Sequence, residues 1–347
     1  MREERIPVTI ITGFLGAGKT SLLNRLISKH PEKKFAIIEN EFGQTGIDGA
    51  LIAAAPDDIF ELSNGCICCS LGEDFLFTLE NLLGSSSKFN HLLIETTGIA
   101  DPSSIIDAFV SGESIQTRFR IDSVVCVADA VNMEDLMDDQ LEVRKQIALA
   151  DLILLNKTDS VHPDYAQSLL LTIAEISPMA KIFATSFANI DEINVLDTNS
   201  YSREAIENST LTFCALDVSK PMEQKKSKMI MNPVKLSVNR HDITSEGFSF
   251  TGNFDVNKFG LWMQNYLYFN KETIFRVKGI VSFENTADQF IFHAVRGSYM
   301  FEVGKEWKDE ARFSKLVFIG KDISRTELEK NLKQLLVKTS TPLPVYP

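Results

Sequence analysis

The sequence predicts an α/β protein, in which a doubly wound, mainly parallel sheet is followed by a smaller α+β domain. Over the first two-thirds of the chain, short apolar β-branched runs alternate with helical patterns. Several of these runs are apolar on both faces, as are strands covered by helices on each side of a sheet. The last third is rich in aromatic residues and in alternating strand patterns. This order of elements is typical of a parallel α/β unit with an appended domain.

The first domain is defined by seven apolar runs with helical segments between them. The predicted strands are residues 6–12, 34–39, 57–62, 91–96, 122–129, 151–156 and 181–185. Helical periodicity predicts helices that include residues 20–30, 74–83 and 165–176. We place this domain at residues 1–216.

The second domain follows a stretch with two prolines, four lysines and no periodicity, which we interpret as a linker over residues 217–233. The strand-like segments that follow are "VKLSVNR", "GFSFTGNF", "TIFRVKGIVSFE", "DQFIFHAVRGSYMFEV" and "SKLVFIG". Helices are predicted at 256–268 and 324–337. We place this mostly antiparallel α+β domain at residues 234–347.

Composition restricts the classes of partner. The chain has 347 residues, enough for two cores, and a net charge of −12. An acidic surface repels phosphate backbones, so we expect neither nucleic acid nor an anionic membrane as a partner. The sequence shows no bilayer-length apolar run and no signal peptide, which predicts a cytoplasmic protein with reduced cysteines.

The segment "GFLGAGKT", from Gly13 to Thr20, matches the phosphate-binding loop G-x-x-x-x-G-K-[ST] between a strand and a helix. Its glycines let successive N–H groups face an anion at a helix N-terminus. Lys19 is predicted to reach the β- and γ-phosphates, and Thr20 to ligate Mg²⁺. The predicted nucleotide contacts of this loop are Gly13, Gly16, Ala17, Gly18, Lys19, Thr20 and Ser21.

The segment "LLNKTD" follows a later apolar strand and carries the N-K-x-D pattern that reads guanine. The Asp159 carboxylate can accept from the two guanine donors that adenine lacks, so GTP is favoured over ATP. Asn156 is predicted to hold neighbouring loops and the base edge. The stem of Lys157 is predicted to lie along the ring face.

The segment "HLLIETTG" ends an apolar strand at Glu95, which could hold Mg²⁺ through water or orient the attacking water. The amide of Gly98 could sense the γ-phosphate. In "IENEFGQTGID", the expected switch segment, Asp48 is a candidate for the Mg²⁺ shell and Glu41 for an extra metal ligand. A solvated acidic loop is an alternative for both residues.

Three of the five cysteines crowd into "SNGCICC", as Cys66, Cys68 and Cys69. Three thiolates can converge on one tetrahedral ion, and thiolates prefer Zn²⁺, Cu⁺ or Co²⁺ to Mg²⁺. Buried reduced cysteines or a vicinal redox pair are the alternatives. If the preceding strand runs parallel to the first, these thiols lie beside the phosphates. Cys126 is predicted to be core. The histidines are expected to be structural, and His293, which sits in an alternating strand, is the candidate for an exposed exception.

The ordered set "GFLGAGKT", "NEFG", "NGCICC", "ETTGIADP", "NKTD" and "RVKGI…HAVRG…LVFIG" resembles the CobW family of GTP-dependent metallochaperones, within the SIMIBI GTPases. The resemblance spans residue 6 to about residue 337. It implies a P-loop GTPase domain and a C-terminal CobW domain, with slow GTP hydrolysis linked to Zn²⁺ or Co²⁺ binding. It also implies the roles given above for Lys19, Thr20, Glu95, Asn156, Asp159 and the three clustered cysteines. The linker lacks the histidine-rich stretches of many relatives, which argues against metal buffering.

Two hypotheses follow. In the first, GTP and Mg²⁺ order the switch, a metal binds the thiolates, and hydrolysis releases it to a client metalloprotein. In the second, the chain is a GTP-switched assembly factor whose zinc is structural. The sequence leaves open the physiological metal, the client and any homo-oligomer.

Overall fold

The computed structural model describes residues 5–39, 59–61, 73–84, 89–215 and 242–337. Within these residues it contains a parallel sheet and an antiparallel sheet, both flanked by helices. The predicted fold class is therefore confirmed. The predicted linker and the predicted strand "VKLSVNR" lie outside the described residues, so that strand and the domain boundaries stay predictions.

The parallel sheet contains seven strands among the described residues, and every pair of neighbours runs parallel. These strands are β1 (Ile6–Thr12), β2 (Phe35–Glu39), β3 (Ile59–Glu61), β4 (His91–Glu95), β5 (Phe119–Asp129), β6 (Leu152–Asn156) and β7 (Lys181–Ala184). Their order across the sheet is β3-β2-β4-β1-β5-β6-β7. The central strands are buried along most of their length, as their unbroken apolar sequence predicts.

Helices connect these strands and cover both faces of the sheet. They are α1 (Lys19–Lys29), α2 (Glu73–Gly84), α3 (Ser103–Ser111), α4 (Glu113–Arg118), α5 (Met133–Asp139), α6 (Leu141–Leu149), α7 (Pro163–Ile176) and α8 (Arg203–Ala215). Apolar side chains on the two faces form two separate core clusters. Because α1 starts directly after the loop that follows β1, its N-terminus faces the carboxyl edge of the sheet.

The antiparallel sheet has the order β11-β10-β9-β12-β8 in the described part of the C-terminal region. Its strands and helices are β8 (Ile243–Thr251), α9 (Val256–Phe269), β9 (Ile274–Ser282), β10 (Asp288–Val295), β11 (Ser298–Glu306), β12 (Phe313–Lys321) and α10 (Arg325–Leu335). Asp255 caps α9, because its carboxylate accepts hydrogen bonds from the amides of Asn257 at 3.0 Å and Lys258 at 3.1 Å. An aromatic core lies between α9, α10 and one face of this sheet.

The other face of the antiparallel sheet packs on the first domain. Phe275, Val317 and Ile319 belong to the same apolar cluster as core residues of the parallel sheet. A buried group of charges, here called the junction cluster, consists of Asp151, Arg276 and Lys278. One carboxylate oxygen of Asp151 lies 2.5 Å from the Arg276 guanidinium and 2.6 Å from the Lys278 ammonium. The two domains therefore share a continuous, partly charged interior.

The expectation of an exposed His293 is wrong. His293 is 1% exposed, and its ring stacks on that of Tyr201 with centroids 4.9 Å apart. The alternating pattern of β10 indicates that successive side chains point to opposite faces of the sheet. The first domain, through Tyr201, covers the face on which His293 lies. Cys126 is buried in β5, as predicted, and burial raises the pKa of its thiol to about 12.

Within the described ranges, every helix is too short or too polar to cross a bilayer.

Candidate nucleotide site

The loop after β1 has the backbone shape that its glycines permit. Gly13, Gly16 and Gly18 have φ values of 137°, 74° and 111°, which other residues rarely adopt. A Cβ on Gly13 would lie 2.1 Å from the carbonyl oxygen of Val127, so no side chain fits there. The loop therefore passes close to β5 and then turns into α1, in the manner of an anion-binding cradle.

Lys19 and Thr20 begin α1 and lie at the mouth of this cradle. Lys19 is 7% exposed, and its ammonium donates to the carbonyl of Phe14 at 3.3 Å. The Thr20 hydroxyl donates to Glu95 at 3.2 Å. Ala17 is buried, whereas Ser21 in the first turn of α1 is exposed. The lysine and the hydroxyl thus stand on consecutive residues, with a carboxylate bonded to the hydroxyl, which are the groups that phosphate binding beside a divalent cation requires.

Glu95 reaches Thr20 because β4 lies beside β1 and runs parallel to it. Ile11 of β1 is in register with Glu95, so both strands end at the same edge. The pairing continues one residue beyond the end of β4, where the Thr96 amide donates to the Ile11 carbonyl at 2.9 Å. Hydroxyl and carboxylate oxygens are the ligands that Mg²⁺ prefers, and this pair fits such an ion.

Gly98 lies directly against the phosphate-loop backbone. A Cβ at Gly98 would be 2.4 Å from the Leu15 amide nitrogen. On the other side, the Gln146 amide donates to the carbonyls of Gly98 at 3.2 Å and Ala100 at 3.1 Å. Gln146 is 1% exposed and was missed by the sequence reasoning, since a single polar residue in a helix carries no motif. The segment predicted to sense the γ-phosphate is therefore held between the loop and α6.

Asn156 joins two loops at the end of β6. Its side-chain amide donates to the Ala17 carbonyl at 2.8 Å, and its oxygen accepts from the Ala188 amide at 2.9 Å. The residue is 3% exposed. The predicted holding of neighbouring loops is what this geometry shows, while the predicted contact with a base edge stays a prediction.

Lys157 is held by a carboxylate that the sequence reasoning did not assign. Its ammonium lies 2.8 Å from Asp129, the last residue of β5. Burial alone would raise the pKa of the Asp129 carboxyl, but the hydrogen bonds from Lys157, Asn132 and the Val131 amide together outweigh it and lower that pKa. Asp129 ends an apolar strand in the sequence, as Glu95 and Asn156 do, and that shared position could have identified it.

Asp159 stands on a one-turn 3₁₀ helix, Thr158–Ser160, and is exposed. Its amide donates to the Ser186 hydroxyl at 3.2 Å, and the Thr158 hydroxyl lies 3.3 Å from that same oxygen. The segment after β7 thus packs on the N-K-x-D motif. This segment, "TSFA" at residues 185–188, is a second feature that the sequence reasoning missed.

Five predicted site residues lie outside the described residues: Glu41, Asp48, Cys66, Cys68 and Cys69. The strand before the cysteines is described, and it decides one open question. β3 runs parallel to β2, with Glu61 in register with Glu39, which is in turn in register with Glu95. The segment that contains the cysteines therefore starts from the same edge of the sheet as the phosphate loop.

Two models of the same protein family match this chain. A family model described as "CobW/HypB/UreG, nucleotide-binding domain" matches residues 7–184. A second model, the cobalamin synthesis protein cobW C-terminal domain, matches residues 243–336. These two spans contain the parallel sheet and the antiparallel sheet respectively.

Individual relatives cover between 58% and 96% of this chain. The zinc chaperone YjiA of Escherichia coli is 32% identical over 327 residues, which are 93% of this chain and 96% of the relative. The zinc-regulated GTPase metalloprotein activator 1 of Schizosaccharomyces pombe is 34% identical over 211 residues, which are 58% of this chain and 51% of the relative. The crystal structure of Zn(II)-bound YjiA GTPase from E. coli superposes with a TM-score of 0.68 at 26% identity. The superposition covers 96% of this chain and 99% of that chain.

Proposed function

The chain belongs to the CobW family of P-loop GTPases, and we propose that it is a cytoplasmic metallochaperone. In this proposal it binds Zn²⁺ or Co²⁺ at Cys66, Cys68 and Cys69 and transfers the ion to a client metalloprotein. The observation that carries the proposal is the common sheet edge of β1, β3 and β4, from which the phosphate loop, the cysteine segment and Glu95 all start.

The nucleotide half of the proposal assigns one task to each residue. Lys19 contacts the β- and γ-phosphates, and the amides of the glycine loop face the phosphate oxygens. Thr20, with Glu95 or Asp48 in the outer shell, would hold Mg²⁺, and the ion would supply positive charge beside the phosphates. Glu95 is also assigned the orientation of the attacking water, as the alternative to a place in the Mg²⁺ shell. Asp159 accepts from the guanine donors, and Lys157 is held over the base by Asp129.

The metal half of the proposal rests on chain reach. Cys66 follows Glu61 by five residues, so it lies at most about 17 Å from the end of β3. β3 and β1 are separated by β2 and β4, a distance of about 14 Å across the sheet. The thiolates can therefore lie beside the nucleotide without any rearrangement of the sheet. Three thiolates leave the fourth position of a tetrahedral ion to Glu41, to water or to the client.

Coupling between the two halves follows from the order of segments. The switch residues Glu41 and Asp48 lie between β2 and β3, and the cysteines lie between β3 and α2. A γ-phosphate that draws the switch inward would bring its acids toward the thiolates. Loss of that phosphate on hydrolysis would release them. A coupling of about 1–3 kcal/mol is enough to change metal affinity by roughly 5- to 150-fold.

A metal competition titration tests this proposal. Zn²⁺ affinity is measured against a chromophoric chelator, with GDP or with a non-hydrolysable GTP analogue bound. We expect tighter binding with the analogue, and loss of that site in the Cys66→Ser, Cys68→Ser and Cys69→Ser variants. The matched control is Cys126→Ala, which removes a thiol buried in β5 and should leave the titration unchanged.

Two outcomes would reject parts of the proposal. Equal Zn²⁺ affinity in both nucleotide states would reject the coupling. An ion that resists chelators in every nucleotide state, and whose removal unfolds part of the chain, would favour the assembly factor with structural zinc.

A further inference from the structure

Phe187 is an exposed aromatic side chain between two residues that are tied to the N-K-x-D motif. Its ring is 73% exposed. The preceding residue, Ser186, accepts from the Asp159 amide at 3.2 Å. The following residue, Ala188, donates its amide to Asn156 at 2.9 Å. Phe187 is therefore placed at the rim of the region where the base is expected, and no core packing accounts for its ring.

The backbone at this position is unfavourable for a residue with a side chain. Phe187 has a φ of 56° and Ala188 a φ of 51°, in the left-handed region that usually takes glycine or asparagine. A ring without core contacts offsets little of that cost. Two consecutive strained residues persist only where surrounding contacts hold them, and such positions concentrate at ligand sites.

Those contacts come from α1, the helix that starts at the phosphate loop. The Arg25 guanidinium donates to the Phe187 carbonyl at 2.8 Å. One turn later, the Lys29 ammonium donates to the carbonyls of Asp191 at 3.0 Å and Ile193 at 3.2 Å. The segment that carries Phe187 is thus fixed to the same helix whose first turn carries Lys19 and Thr20.

From this geometry we propose that Phe187 is a stacking platform for the purine of the bound nucleotide, on the face opposite the stem of Lys157. The proposal rests on the assignment of residues 156–159 to base binding. Stacking is tolerant of base identity, because every base has a π-face. Phe187 would therefore supply affinity for purines in general, while the Asp159 carboxylate selects guanine.

Nucleotide titrations of four proteins test this division of roles: the wild type, Phe187→Ala, Phe187→Tyr and Asp159→Asn. We expect Phe187→Ala to weaken GDP binding about tenfold or more and to weaken IDP binding by the same factor. Phe187→Tyr keeps a ring and should stay within about threefold of the wild type. Asp159→Asn should instead change the ratio of GDP to IDP affinity, since inosine lacks the 2-amino group.

A Phe187→Trp variant adds a spectroscopic reading, because the two natural tryptophans, Trp262 and Trp307, both lie in the C-terminal domain. We expect its emission to change on GDP binding. The matched control is Leu171→Ala, which removes another exposed apolar side chain, 60% exposed on α7. It should bind GDP as the wild type does.

The failure of this inference is distinct from the failure of the proposed function. If the wild type binds GDP while Phe187→Ala binds it within twofold and the Phe187→Trp emission does not respond, Phe187 is no platform. If the wild type binds no guanine nucleotide, both proposals are overturned. A thermal melt of each variant verifies that a lost affinity does not reflect an unfolded protein.

Discussion

Charged side chains lie at both ends of the strands of the parallel sheet, at the carboxyl edge and at the amino edge, but their surroundings differ. At the carboxyl edge, Lys19 and Glu95, together with the uncharged Asn156, bond to groups of the phosphate loop and the first turn of α1 at 2.8–3.3 Å. Two exposed apolar side chains, Leu15 and Ile99, lie on the segments that follow β1 and β4 at this edge. At the amino edge, the junction cluster is closed over by the second domain, and its side chains are 3–6% exposed.

Burial explains the difference. Burial alone would raise the pKa of the Asp151 carboxyl, but attraction by Arg276 and Lys278 outweighs it and lowers that pKa. For Lys278, burial and repulsion by Arg276 prevail over attraction by Asp151 and lower the pKa to about 8. These charges satisfy one another and leave no face for a ligand. The comparison teaches that charge at the amino edge holds the domains together, whereas charge at the carboxyl edge remains available to a nucleotide.

The largest expected effect is at the junction cluster. Asp151→Asn should lower the free energy of unfolding by about 3–5 kcal/mol, because it leaves the buried Arg276 and Lys278 without a counter-charge. Denaturant unfolding measures the loss. The control is Glu329→Gln, which breaks an ion pair to Lys333 between side chains that are 39% and 60% exposed, and should cost about 0.5 kcal/mol or less. Equal losses in the two variants would contradict the role of burial.

The next effect concerns His91, the buried first residue of β4. Burial lowers the pKa of His91 to about 4 from an ordinary 6.5. Between those values the unfolded chain takes up a proton that the folded protein does not. Proton uptake by His91 in the unfolded chain therefore lowers the free energy of unfolding as the pH falls from 6.5 toward 4. Above pH 6.5 this loss is absent. The loss is at most about 3 kcal/mol.

Unfolding free energies of wild type and His91→Gln, measured from pH 7 to pH 4, test this pH dependence. Glutamine can still bond to Thr9, whose hydroxyl lies 2.9 Å from the imidazole, but it does not titrate. The difference between the unfolding free energies of wild type and His91→Gln should shrink or reverse as the pH falls. His162→Gln, at a side chain that is 74% exposed, should keep the wild-type slope. Parallel curves for wild type and His91→Gln would refute the assignment.

At the carboxyl edge the expected loss is in activity. Glu95→Gln should lower kcat for GTP hydrolysis about a hundredfold, which corresponds to about 2.7 kcal/mol of activation free energy. Its free energy of unfolding should change by less than about 1 kcal/mol, because glutamine keeps the size of the side chain and an oxygen that can accept the partly buried hydrogen bond from Thr20. Glu175→Gln, at an exposed position of α7, is the control for both measurements. A stability loss as large as that of Asp151→Asn would erase the contrast between the edges.

The smallest effect is at Gly18. Its φ of 111° disfavours any side chain, and an added Cβ would lie 2.6 Å from the Asn156 side-chain nitrogen. Gly18→Ala should therefore cost about 1–2 kcal/mol of stability and weaken GTP binding. Gly84→Ala, where nothing lies within 4 Å of the added carbon, is the matched control. Thermal melts and nucleotide titration check both, and an unstrained Gly18→Ala would show that the loop relaxes easily.

Several elements could be predicted from local patterns alone. The strand at residues 6–12 is found as predicted, and the predicted helices at 20–30 and 256–268 differ from the observed ones by a single residue at their ends. Apolar periodicity and the glycine motif are properties of neighbouring residues, so they do not depend on the rest of the fold. The phosphate loop and the N-K-x-D motif were located in the same way.

Contacts between distant segments were out of reach of such patterns. The N-K-x-D motif predicts that Asn156 holds neighbouring loops, but it does not indicate that its partners are Ala17 and Ala188, or that Asp129 holds Lys157. The burial of His293 depends on a domain interface, and alternation within one strand does not indicate what covers each face.

By itself the sequence determined the order of strands and helices, the phosphate loop, and the chemistry of the residues that end each strand. The tertiary structure alone decided which of those residues meet, the direction of β3, and which charges are buried between the domains. The physical reason is range: backbone preference and side-chain periodicity act over a few residues. Hydrogen bonds and burial, in contrast, depend on which distant segments the sheet brings together.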